Sequence, residues 1–204
     1  TVSETADRGF IVSGTLTNDT SGVSRMFLMK TNSDGDMQWA QSYVGTSEYP
    51  LTANGADALQ TSDGGYALTG HTVQPGSGAT YICLIITDAT GNLIWTRTYG
   101  SNTGSNATAM AIKQTQDGGF IITGKGNDAF VIKTDSAGLT HCGDTTININ
   151  TDTPDFQTFF GLIQDTTLAV NPSFFPLKQS RGAVIYDACG HIGIDELSSD
   201  QIDF

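Results

Sequence analysis

The side chains able to do chemistry are few and scattered. His71, His141 and His191 are the histidines of the 204-residue chain. None stands at a spacing that ties it to a serine nucleophile or to an acid, and no pair of carboxylates marks a glycosidase cleft. His141, Cys142, Cys189 and His191 are all of zinc-binding type, but His-Cys and Cys-Gly-His are not the spacings from which tetrahedral zinc sites are built. Asn32-Ser33-Asp34-Gly35-Asp36 offers oxygens in the manner of a calcium loop. The first ligand position of such a loop falls on Lys30 and no glutamate closes it, so a β-turn accounts for the same residues. Asn18-Asp19-Thr20 and Asn106-Ala107-Thr108 fit the N-glycosylation sequon, with Asn18 and Asn106 expected in loops. The expectation is a protein that is not an enzyme, with no resident metal and no cofactor.

What could position such residues is a pattern that appears three times. Asp7-Arg8-Gly9-Phe10-Ile11-Val12-Ser13-Gly14, Asp63-Gly64-Gly65-Tyr66-Ala67-Leu68-Thr69-Gly70 and Asp117-Gly118-Gly119-Phe120-Ile121-Ile122-Thr123-Gly124 share one outline. Gly14, Gly70 and Gly124 lie 56 and 54 residues apart, and Trp39 to Trp95 is again 56. A repeat this long, made of short strands, predicts an all-β, propeller-like array of about three four-stranded blades. The boundaries are 1–55, 56–108 and 109–140, followed by a β-rich C-terminal cap over 141–192 that covers the last blade, and a tail or exchanged strand over 193–204. Closed propellers need about 4 to 8 blades. The array is therefore completed by further blades, by the cap, or by another molecule.

Within a repeat, the second strand is expected at Phe10–Ser13, Tyr66–Thr69 and Phe120–Thr123. Glycines at its two ends (Gly9 and Gly14, Gly65 and Gly70, Gly119 and Gly124) are expected to supply positive φ. The third strand, Met26–Met29, Ile82–Ile85 or Phe130–Ile132, is an unbroken apolar run, which predicts burial on both faces. Cys83 sits in the slot of Phe27 and Phe130 and reads as a buried thiol. The fourth strand carries Trp39 and Tyr43, then Trp95 and Tyr99; a spacing of four puts each pair on one strand face, where they are expected to pack between blades. The polar loops Thr15 to Arg25 and His71 to Thr80 are the places for a binding rim.

Composition points the same way. Threonine, at 29 residues, and glycine, at 24, favour strands and tight turns. A net charge of -12 argues against nucleic acid and anionic membrane surfaces as partners. The longest apolar run, Tyr81 to Ile86, is too short to cross a bilayer, so no membrane insertion is expected. With neither an initiator methionine nor a basic leader, the chain is expected to be a mature product or a fragment.

The pattern DGG-aromatic-x-x-TG, then KTD-x-x-G, then W-x-x-x-YG resembles a repeat of large secreted proteins from Bacteroidetes-type bacteria. The stretch from Cys142 through Cys189 to Gly193-Ile194-Asp195-Glu196-Leu197 resembles the segment that precedes the sorting domain of type IX secretion substrates, with that domain absent. The resemblance implies an extracellular or cell-surface location. In a secreted protein Cys142 and Cys189 are naturally read as a disulfide, which stabilises by on the order of 4 kcal/mol in the chain-entropy model; zinc is the rival reading. It also implies O-glycan sites at Asp-Ser/Thr, giving Ser136, Thr145 and Thr166 as candidates. The expected function is a structural subunit of an extracellular filament or matrix, a homo-oligomer joined through strand edges and blade faces, with glycans as further partners. The alternatives are an adhesin or carbohydrate-binding module, or a fragment of a larger secreted enzyme.

Overall fold

The computed structural model describes residues 1–17, 24–45, 57–73, 79–100, 107–126, 128–140, 144–146 and 149–154. Its regular structure is all strand, in three antiparallel sheets, none closed on itself. The first sheet is a meander of β1 (Val2–Glu4), β2 (Phe10–Thr17), β3 (Ser24–Thr31) and β4 (Met37–Gly45). The second repeats it with β5 (Asp57–Gln60), β6 (Tyr66–Val73), β7 (Thr80–Thr87) and β8 (Leu93–Tyr99). The third has β9 (Thr108–Gln114), β10 (Phe120–Lys125) and β11 (Ala129–Lys133). Among the described residues no helix is long and apolar enough to cross a membrane.

The third sheet departs from the expected four strands. After the turn at Asp135–Leu139 the chain crosses to the second sheet, where β12 (Asp144–Thr146) pairs with β8, and then to the first, where β13 (Ile149–Asp152) pairs with β4. Thr146 and Ile149, three residues apart, thus lie in different sheets. The described part of segment 141–192 lies on the first two sheets; the rest of it, and 193–204, fall outside the described residues.

The strands also outrun the apolar runs that mark them. β2 and β3 pair from Phe10↔Thr31 to Thr17↔Ser24, straight through Gly14, because a hairpin ladder is made by backbone groups and continues into polar residues. The loops expected at Thr15 to Arg25 and His71 to Thr80 are correspondingly shorter.

The flanking glycines act differently from expectation. Positive φ belongs to the middle turn residue, Gly64 at 89°, Gly118 at 79° and Arg8 at 65°. Gly9, Gly65 and Gly119 are needed for closeness: a Cβ there would come within 2.1, 2.2 and 2.1 Å of the carbonyl oxygens of Thr31, Thr87 and Thr134. The far-end glycines leave room for side chains, Gly14 for Phe27 and Gly70 for Met26.

The sheets stack in chain order around two cores. Ile11, Met26, Leu28 and Tyr43 of the first sheet meet Tyr66, Leu68, Cys83 and Ile85 of the second. The opposite face of the second sheet, with Ala67, Ile82, Leu84 and Ile86, meets Ile112, Phe120 and Ile122 of the third. Only the middle member of the three third strands is therefore buried on both faces: β7 is buried from Ile82 to Thr87, whereas β3 and β11 alternate. The expectation of two-faced burial fails for the end sheets because, among the described residues, each has a sheet on one side only.

Candidate functional site

The most elaborate construction in the molecule is the seam between successive sheets, and it is made twice from the same parts. The turn between the third and fourth strands is closed by an Asx residue. Asp88 Oδ1 accepts from the amides of Thr90 (2.8 Å) and Asn92 (2.9 Å), and Asp135 Oδ1 accepts from those of Ala137 (2.9 Å) and Leu139 (2.8 Å). Each turn holds its glycine at positive φ, Gly91 at 82° and Gly138 at 75°. The preceding sheet's tryptophan lies directly on that glycine. A Cβ on Gly91 would stand 2.6 Å from Trp39, and one on Gly138 2.5 Å from Trp95. Tyr43 Oη donates to the Gly91 carbonyl at 2.7 Å and Tyr99 Oη to the Gly138 carbonyl at 2.8 Å. Burial raises the Tyr43 pKa, and Asp88 adds to the shift. Trp39 also meets Tyr66 edge-on, with ring centroids 5.4 Å apart.

A glutamine answers from the other side. The Ala6 amide donates to Gln60 Oε1 at 2.8 Å, and the Ser62 amide to Gln114 Oε1 at 2.8 Å. The first strand of each repeat thus grips the aspartate turn of the repeat before it. Neither glutamine belongs to the motif that makes the repeat recognisable; the 54-residue interval between them is the signal that could have found them.

The aspartate turn has its own electrostatics. Asp7, Asp63 and Asp117 each accept from a threonine hydroxyl and from a glycine amide. Lys30 Nζ adds an ion pair to Asp7 at 2.8 Å and Lys133 Nζ one to Asp117 at 2.8 Å. These lysines, then the threonines, hold both carboxyls far below the usual range. The second repeat has Ile86 at the lysine position, and the Asp63 carboxyl is lowered chiefly by Thr61.

Beside the second seam a cleft is lined by Ser62, Asp63, Trp95, Gln114 and Ser136. Gln114 is engaged with the Ser62 amide, and the Arg97 guanidinium lies 5.7 Å from the Trp95 ring centroid. Among the described residues no group of three or more His, Cys, Asp or Glu is placed to hold a metal ion.

The candidate residues are distributed as follows. Trp39, Tyr43, Trp95 and Tyr99 sit at the seams. Ser136 is exposed at the cleft. Thr145 lies in β12, its backbone paired with Thr98. Asn32 Oδ1 accepts from the amides of Asp34 (3.0 Å) and Asp36 (2.8 Å), so it closes the turn. Cys83 is a free, buried thiol, its pKa pushed up to about 12 by burial. His71 is buried within β6. Cys142, Cys189, His141, His191, Asn18, Asn106 and Thr166 fall outside the described residues.

No family model matches the chain, and no curated protein or solved structure matches it either.

Proposed function

We propose that this chain is a non-catalytic structural protein, a length of a propeller-like stack of sheets working outside the cell as part of a filament or matrix. The observation that supports this most directly is the use made of its repeating residues. The tryptophans, tyrosines, turn glycines and glutamines that recur with the repeat are engaged in contacts between successive sheets. A catalytic or ligand-binding repeat would leave some of its recurring polar groups pointing at a common space. Type IX secretion, surface glycans and a Cys142–Cys189 disulfide belong to the same proposal and rest on the sequence resemblance.

Imaging of the native particle by negative stain, with light scattering, tests the structural role. Regular polymers joined through strand edges are the expected result at micromolar concentration. A discrete monomer of 21.5 kDa at every concentration overturns assembly by this chain alone.

The second reading, a carbohydrate-binding module, draws on the cleft in which Trp95 neighbours Ser62, Asp63, Gln114 and Ser136, since sugars favour an aromatic beside polar groups. Glycan binding by the monomer that Ser136→Trp abolishes would favour it.

A further inference from the structure

Each seam joins a tryptophan-bearing sheet to a receiving half, and a third receiving half is present in the first sheet. In the second sheet that half is Tyr66, Leu68, Cys83 and Ile85 with Gly91; in the third it is Phe120, Ile122, Phe130 and Ile132 with Gly138. Strand register places Phe10, Val12, Phe27 and Met29 of the first sheet at the same positions, with Gly35 in the turn. Gly35 has φ 89°, and its turn is closed by Asn32 as the others are by Asp88 and Asp135. Among the described residues no atom lies within 4 Å of where its Cβ would be, the place that Trp39 and Trp95 crowd at Gly91 and Gly138. On the same face Val2 is 64% exposed, and Phe10, Val12, Phe27 and Met29 are half-buried.

The other end of the stack is different. Where the second sheet presents Leu59 and His71 to its neighbour, the third presents Lys113 and Lys125, both exposed. Two exposed lysines among the residues of that face disfavour further stacking; an apolar face with a formed turn and no described side chain on it invites it.

We infer that the open face of the first sheet docks a further sheet of this same repeat, one whose outer strand carries tryptophan and tyrosine four residues apart. The tryptophan lies on Gly35 and against Phe10, the counterpart of Tyr66, and the tyrosine hydroxyl donates to the Gly35 carbonyl. Glu4, which holds the register position of Gln60 and Gln114, accepts from the aspartate-turn amide of the incoming sheet. The chain has two tryptophans, Trp39 and Trp95, and both are seated at seams. Residues 155–204 hold no tryptophan, and a second copy could offer one only by dismantling a seam of its own. The inference rests on the structural reading above and names the partner that reading requires.

The test places a second copy of residues 1–56 in front of Thr1 of the full chain, keeping the 56-residue period, and a second version uses residues 57–110 instead. Amide exchange in β2 and β3 is expected to slow about tenfold or more relative to the parent chain in at least one version, with Met29 protected from oxidation. Gly35→Ala is expected to remove most of that protection. Unchanged exchange in both versions overturns the proposal. So does a parent chain whose β2 and β3 lose protection when residues 155–204 are removed, or gain it with concentration, since either means a different occupant. Particle imaging reads the structural role separately, so that role can fail with the docking intact, and the reverse.

Discussion

Leu84 and Val131 hold the same position in two copies of one hairpin, opposite Thr69 and Thr123. Leu84 is fully buried, whereas Val131 is 47% exposed. Their strands, β7 and β11, are both apolar runs of the kind that predicts two-faced burial. The difference is made by the third sheet, which covers Leu84, while no described residue does the same for Val131. An apolar run thus reports what a strand can bury, and its neighbours decide what it does bury.

That comparison is broken most directly by truncation. Leu84→Ala should cost about 2–5 kcal/mol, and Val131→Ala less than about 0.5 kcal/mol, in urea unfolding. Equal losses would mean that the rear face of the third sheet is covered after all.

The turn glycines extend the contrast to the other end. Gly35→Ala and Gly91→Ala share the strain of a side chain at positive φ. Gly91→Ala also drives a methyl into Trp39 and should cost about 1–3 kcal/mol more. Matching unfolding midpoints for the two variants would show that the Gly35 slot is occupied in the parent chain.

A smaller effect is expected at the seam hydroxyls. Tyr43→Phe and Tyr99→Phe each remove a buried hydrogen bond to a glycine carbonyl, worth about 0.5–1.5 kcal/mol, and the two losses should be similar because the seams are copies. A large inequality in thermal unfolding would show that the seams differ in tightness.

The mildest test uses acid. Asp7 and Asp117 have folded pKa values below the ordinary value of about 3.9. The unfolded chain therefore binds their protons first as pH falls. Their contribution to stability is complete above about pH 4 and is lost as pH falls through the folded pKa. Asp7→Asn and Asp117→Asn should each flatten the decline in stability below pH 4. Asp7→Asn should do more, since the Lys30 side chain is 4% exposed and that of Lys133 45%. An unaltered pH profile in both would show that the aspartate turns do not stabilise the fold.

Much of this was legible in the residues. The repeat spacing, the hairpin of second and third strands, and the alignment of Trp with Tyr on one strand face all follow from local periodicity and the pleat. The roles of the glycines beside the aspartate turns were not, because the close approach of a neighbouring strand's carbonyl is a fact about two strands and leaves no mark on either alone. The glutamine grip was missed for the same reason.

The sequence by itself determined the all-β character, the repeat and the residues of each hairpin, since these depend on interactions within a few dozen residues. Only the tertiary structure decided which faces meet, where the last strands go, and which slot stays open. β12 and β13 joined the second and first sheets because the outer edges of β8 and β4 offered unpaired backbone groups there. Faces and edges are satisfied by whatever is brought beside them, and no stretch of sequence carries that information alone.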